Sequence, residues 1–140
     1  MSLFKIFDIS SSALHAQSVR LNTTASNLAN ADSASSSIDQ TYRARKPVFA
    51  AMLEDAGGAG PGTAQAGVRV LGVVESDAPL RREYQPGHPL ADDEGYVFLP
   101  NVNTVDEMAD MISASRNYQS NVEVLNTSKQ LLLRTLTLGE

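Results

Sequence analysis

The sequence predicts an α+β protein in which long N- and C-terminal helices pair as a coiled-coil-like helical domain, with a small β-rich lobe inserted between them. Three observations carry that expectation. Both ends space apolar residues alternately three and four apart. The middle is rich in β-branched residues, glycine and proline. The 140 residues suffice for one compact domain and not for two full ones. The expected boundaries are 1–34 for the N-terminal helix, 35–100 for the β-rich lobe with a glycine-rich loop near 56–67, and 101–140 for the C-terminal helix.

In the first segment Phe7, Leu14, Leu21, Ala25 and Leu28 follow the heptad spacing and form one predicted packing seam. Their flanks are small and neutral, with Ser10, Ser12, Ala13, Ala16, Thr23 and Thr24 among them. Small side chains let helix backbones approach closely, whereas a solvent-facing helix carries more Lys and Glu. Gln17, Asn22, Asn27 and Asn30 lie in this charge-poor background, where amides hydrogen-bond to neighbours and fix register. After Asn30 the serine-rich stretch to Ser37 offers hydrogen bonds that compete with helix, and predicts a connector.

The middle reads as two extended arms. Thr41 to Leu53 holds β-formers around Pro47, which suits an edge strand or bent hairpin arm, and its basic Arg43, Arg45 and Lys46 read as a solvated edge that discourages unwanted strand pairing, with a partner patch as the alternative. Val68 to Glu75 is the strongest strand in the chain and its expected partner. Arg81 to Pro89 leads into turns, and Tyr96 to Leu99 is a short extended run. From Asn101 the chain becomes helical again. Thr104-Val105-Asp106-Glu107 fits a capping box. Beyond it Met108, Met111, Tyr118, Val122, Leu125, Leu132 and Leu136 form the second predicted seam, over roughly 48 Å from Val105 to Leu136. The leucines from Leu131 to Leu138 point several ways round the helix, so one antiparallel neighbour cannot cover them all.

Composition narrows the function classes. A net charge of -5 lacks the Lys and Arg surplus that phosphate binding requires, which argues against nucleic acid. Cysteine is absent, so disulfides, thiolate catalysis and cysteine-ligated zinc are excluded. His15 and His88 lack metal-motif spacing, Asp92-Asp93-Glu94-Gly95 lacks the alternating ligands of an EF-hand, and no G-x-S-x-G elbow or phosphate-binding loop occurs. No catalytic, cofactor or metal residue is therefore expected, and the chain does not read as an enzyme. Met1 to Asp8 has no sustained apolar core of a cleavable signal, and no run approaches a spanning helix.

Both ends together resemble the axial proteins of the bacterial flagellum, most closely those of the proximal rod. The N-terminal likeness is carried by Ser12-Ala13-Leu14-His15-Ala16-Gln17 and by Arg20 through Asp32. The C-terminal one runs from Pro100-Asn101-Val102-Asn103 through Met111 to Gln119 and Asn121 to Thr127, closing at Thr135 to Gly139. Arg45 to Phe49, Gly67 to Val70 and Tyr84 to Pro89 resemble the family as well; Ser33 to Ser37 departs from it. The resemblance implies a structural subunit of the rod that crosses the periplasm and transmits torque. It also implies export by the flagellar type III apparatus without signal cleavage. The implied partners are copies of itself and the rod proteins FlgB, FlgF, FlgG and FliE. No cofactor, nucleic acid or direct membrane insertion is implied. Alternative readings are another rod protein of the same superfamily and a soluble helical adaptor or chaperone of the secretion system.

Overall fold

The computed structural model describes residues 3–54 and 65–137. Helix α1 spans Leu3–Ala29, strand β1 Arg45–Glu54, β2 Gln65–Glu75, β3 Arg81–Tyr84, β4 Tyr96–Leu99 and helix α2 Thr104–Thr137, with a single 3-10 turn at Ile38–Gln40. The expected α+β class is what forms: two long helices pack on each other, and antiparallel strands lie between them in sequence. At about 1.5 Å per residue the helices are roughly 40 and 51 Å long.

The helices run antiparallel, as two contacts require. The Arg81 guanidinium donates to the carbonyl of Ala31, just past α1, and to that of Pro100, just before α2. Farther along, Arg20 of α1 pairs with Asp110 of α2. By the same offset Leu3 stands level with about Ser128. The last turns of α2 therefore extend past the start of the described part of α1, and Leu131, Leu133 and Leu136 are exposed there.

The core is made of small residues. Ala16, Ala31, Ala44, Val97, Val102 and Ala114 are its buried apolar members, joined by buried Ser10, Thr23, Thr24, Asn27 and Ser128. Such side chains bring backbones close and leave no room for a large ligand cavity.

Helix ends are closed locally. The side-chain amide of Asn30 donates to the Ser26 carbonyl at 2.8 Å, and the Ser33 backbone and hydroxyl both return to the Asn30 carbonyl. Helix α2 is capped differently from the sequence expectation. The Asn103 carboxamide oxygen accepts from the Val105 amide at 3.1 Å, so Asn103 is the N-cap and Thr104 is already the first helical residue. A short amide side chain meets the same need as the predicted threonine, one position earlier. Asp106 and Glu107 occupy the first turn and Arg134 the last, matching the helix dipole.

Strands β1 and β2 form one antiparallel pair, and β3 and β4 another. The register shifts between Val48 opposite Gly72 and Phe49 opposite Val70, leaving Leu71 as the extra residue of a bulge. The first strand starts at Arg45, later than Thr41. The segment from Arg81 begins with a strand, Arg81–Tyr84, before it leads into the expected turns. Of the glycine-rich stretch expected over 56–67, residues up to 64 lie outside the described residues, and Gln65 onward already belongs to β2. The serine connector is tied down at one point, where Ser35 exchanges both backbone hydrogen bonds with Phe98 of β4.

The β3–β4 connection is built around Asp92 and Gly95. The Asp92 carboxylate accepts from the amides of Tyr96 at 2.8 Å and Glu94 at 3.0 Å, and pairs with Arg82. The Tyr96 amide, the Arg82 guanidinium and the Glu94 amide hold its pKa below the ordinary carboxylate range, against a smaller opposing effect of burial. Arg82 also pairs with Glu94 and stacks 4.0 Å from the Tyr96 ring centre, and both carboxylates raise its pKa. Gly95 sits at φ +83°, and an added Cβ would meet Tyr84 Cε2 at 2.9 Å and Pro86 Cβ at 3.1 Å.

Two outcomes follow for this lobe. Gly95→Ala lowers unfolding stability by about 1–3 kcal/mol in urea titration, because the new methyl meets both a strained φ and an occupied site. Because the folded-state pKa of Asp92 is depressed, its stabilising contribution is present above about pH 4 and is lost as pH falls through the folded value. Asp92→Asn therefore removes the part of the acid dependence that belongs to this turn, read by thermal melts between neutral and acidic pH.

Candidate subunit-packing surface

Asn27 shows how the interior is organised before any surface is considered. It is 1% exposed, and its carboxamide oxygen accepts from the Arg45 amide at 2.9 Å while its amide group donates to the Arg45 carbonyl at 2.8 Å. The helix thus presents to the start of β1 both bonds that a neighbouring strand would supply. The Tyr42 hydroxyl donates to the same oxygen at 2.9 Å and lies 3.1 Å from the Ser26 hydroxyl. From the other side Asn101 accepts from the Ala44 amide at 2.7 Å and donates to the carbonyls of Ser76 and Ala78. Two asparagines, one in the last turn of α1 and one just before α2, therefore hold residues 44 and 45.

The other predicted amides sit elsewhere. Asn30 closes its own helix, Asn22 is exposed, and the Gln17 side-chain oxygen is enclosed without a hydrogen-bond partner among the described residues. Ser12 supplies a further link, accepting from the Val68 amide at 3.2 Å where Gly67 leaves room for its hydroxyl. That contact seats β2 on α1.

The two helices meet along a narrow stripe. On α2 the inward positions are Glu107, Met111, Ala114, Asn121, Leu125, Ser128 and Leu132, spaced four and three apart except for the seven from Ala114 to Asn121. Met111, Leu125 and Leu132 belong to the predicted seam. Between them Ala114 and Ser128, the smaller neighbours of Ser115 and Lys129, are the ones buried. Antiparallel backbones pressed together through alanine and serine rotate the helix toward its small residues. Predicted seam residues Met108 and Leu136 then face outward at 56% and 68% exposure, Tyr118 lies at 38%, and Val122 is half-buried. On α1, Phe7, Leu14, Leu21 and Leu28 are half-buried and Ala25 is exposed.

What remains outside is apolar for a protein surface. Val105, Met108, Ile112 and Val124 on α2 are exposed, as are Leu71, Val73 and Val74 on the β1–β2 hairpin. Scattered exposed apolar residues are ordinary; a run along one helix marks a contact surface. Among the described residues there is no group of acidic or histidine side chains placed to hold a metal, and no helix is long and apolar enough to cross a membrane.

Comparison with known proteins locates this arrangement. Residues 7–34 match the family described as flagella basal body rod protein, and residues 93–138 match the C-terminal family of flagellar basal body rod FlgEFG proteins. Over 100% of both chains the sequence is 56% identical to flagellar basal-body rod protein FlgC of Escherichia coli O157:H7 and 55% identical to that of Salmonella typhimurium. It is 40% identical, again over 100% of both, to the FlgC of Buchnera aphidicola subsp. Acyrthosiphon pisum.

The Asn27 arrangement is directly testable. Asn27→Ala strips partners from the Arg45 amide and carbonyl and from the Tyr42 hydroxyl, and costs about 2–4 kcal/mol of unfolding free energy in chemical denaturation. Asn22→Ala, at an exposed position of the same helix, leaves stability within about 0.5 kcal/mol.

Proposed function

The chain belongs to the family of flagellar basal-body rod protein FlgC, and from that premise we propose that it is a structural subunit of the proximal rod whose outward helical faces bury one another between neighbouring subunits. It is not an enzyme. Its task is mechanical: the rod is a drive shaft, and torque passes through many repeated contacts that resist shear.

The observation that carries the assembly reading is the set of large apolar side chains left outside a helix pair that has already closed on its small ones. Fully burying one Met or Leu contributes about 1.5–3 kcal/mol, while association costs about 4–15 kcal/mol in lost freedom of motion. A single outward side chain is therefore insufficient, and a row of them repeated in every subunit is sufficient. In this reading Met108, Tyr118, Val122 and Leu136 of α2 and Phe7, Leu14, Leu21, Ala25 and Leu28 of α1 serve packing either within the pair or across subunits. Of the four amides Asn27 fixes the register of β1 on α1 within the subunit, and Asn22, exposed on the same helix, is placed to do so across subunits. The helices at 1–34 and 101–140 form the axial part, and 35–100 faces away from it toward neighbouring rod proteins.

The partners are further copies and the rod proteins FlgB, FlgF, FlgG and FliE. The chain reaches the rod through the flagellar type III export apparatus, without signal cleavage, and there crosses the periplasm as part of the shaft.

Substitutions separate assembly from folding. Met108→Asp and Leu136→Asp place a charge on the outward face, and each is expected to remove the chain from purified hook–basal bodies and abolish swimming while the purified subunit keeps its circular dichroism spectrum. Leu21→Asp and Leu125→Asp, half-buried in the subunit's own helix pair, lower its melting temperature as well. Normal swimming with Met108→Asp and Leu136→Asp would sink the assembly reading.

A further inference from the structure

The two edges of the β1–β2 hairpin are finished differently. In an antiparallel pair the N–H and carbonyl of one residue point to the same side, and successive residues alternate between facing the partner strand and facing away. At Arg45 both groups turn away from β2, because Asn27 takes them. Its partner Glu75 therefore turns outward too, on the opposite edge, and so do Pro47 and its partner Val73 two residues along. The Ser76 amide donating inward to the Ala44 carbonyl at 2.8 Å has the matching phase.

On the β1 side the donors at this level are spent: Asn27 closes Arg45, and Pro47 has no N–H to offer. On the β2 side the N–H and carbonyl of Val73 and of Glu75 have no hydrogen-bond partner among the described residues. Proteins blunt a free edge with proline, lysine or a covering helix. The run Val73-Val74-Glu75 carries no proline or lysine, starts just past the bulge at Leu71, and is left uncovered by α1. An open cleft of about 390 Å³ lies there instead, lined by Asn22, Thr23 and Ser26 of α1 and by Arg45, Val73 and Glu75 of the hairpin.

We propose that Val73 to Glu75 of β2 is a strand-addition site, filled in the rod by an extended segment of a different rod protein that pairs with this edge and lies over the cleft. This rests on the rod reading above and names the chemistry of one contact. A donor and an acceptor presented at every second residue are matched by extended backbone. The surroundings set the side chains of that segment. Arg45 and Glu75 neutralise each other and Asn22, Thr23 and Ser26 are uncharged, so the residues entering the cleft are uncharged and polar. Val48 and Val74 are exposed on the other face, so the alternate residues are apolar and β-branched. The described strands of this chain do not fit. Strand β1 is interrupted by Pro47, and β3 is the charged run Arg81-Arg82-Glu83-Tyr84. Pairing of β2 with β2 of a second copy would use the same edge twice and close as a dimer, which does not lengthen a shaft.

The backbone donor at Val73 is the target of the test. In a strain whose native chain is replaced, Val73→Pro deletes the outward N–H and Val73→Thr keeps it, while neither touches a ladder bond to β1. Val73→Pro is expected to lower the amount of chain in purified hook–basal bodies by about tenfold or more, and Val73→Thr to stay within about twofold of native, with unchanged circular dichroism of both purified chains. Independently of any variant, hydrogen exchange of the native chain read by mass spectrometry is expected to be fast at residues 73 and 75 in the free subunit and slowed at least tenfold in hook–basal bodies. Native incorporation of Val73→Pro, or equal exchange at those amides in both states, would overturn strand addition. The occupant is read by placing a cysteine at Asn22, in a chain that has no other, and labelling it with a benzophenone maleimide before irradiating intact particles. Cross-linked peptides from a different rod protein support the proposal, and cross-links confined to a second copy of this chain would overturn the occupant. Absence of the native chain itself from rod-bearing particles would instead overturn the rod reading, so the two failures are distinct.

Discussion

The structure depends on one side chain that behaves as backbone. Asn27 offers the start of β1 a donor and an acceptor in the spacing of a strand, and Arg45 accepts both. Without it the amide and carbonyl of Arg45 would be enclosed beside a helix whose own backbone groups are already used, at about 1–3 kcal/mol for each group left without a partner. Asn101 repeats the device on Ala44 and on the two carbonyls that follow β2. Arg81 then ties the end of α1 to the approach of α2. These three polar side chains join both helical ends and both strand pairs at one small knot, which fixes the angle at which the lobe leaves the helices.

The knot explains an otherwise odd allocation of residues. A subunit that closes its interior largely with alanine, serine, threonine and one buried asparagine leaves many of its larger apolar side chains unused in its own fold. They stay on the outer faces of α2 and of the β1–β2 hairpin, where burial awaits other subunits. A soluble adaptor with the same composition would turn Met108, Ile112 and Leu136 inward and place Lys and Glu outside. A repeated, weakly hydrophobic contact on a rigid unit suits a shaft, because rigidity confines the entropy cost of assembly to a few side chains.

The sequence made the broad plan legible because heptad spacing and β-branched runs are local signals. The two long helices and the hairpin joining Arg45–Glu54 to Gln65–Glu75 were both readable. What was not legible depended on distant partners. The cap of α2 falls on Asn103, since asparagine and threonine satisfy the same amide and only the chain path decides between them. Strand β3 was hidden because Arg81-Arg82-Glu83 has no apolar alternation; it forms by pairing with β4 and by stacking Arg82 on Tyr96. Of the four amides only Asn27 reaches across to β1, and nothing local sets it apart from Asn22 or Asn30. The choice between Ala114 and Ser115, or Ser128 and Lys129, rests on how closely the helix axes approach, and a period count does not contain that distance.

The most direct measurement uses the absence of native cysteine. Single cysteines at Met108 and Tyr118, on the outer face of α2, and at exposed Asp93 in the β3–β4 turn are labelled with a maleimide in the purified subunit and in intact hook–basal bodies. The account predicts that all three label in the free subunit and that positions 108 and 118 become protected in the rod. Equal labelling of those two positions in both states would contradict it, because the faces assigned to subunit packing would then be open to solvent in the finished shaft.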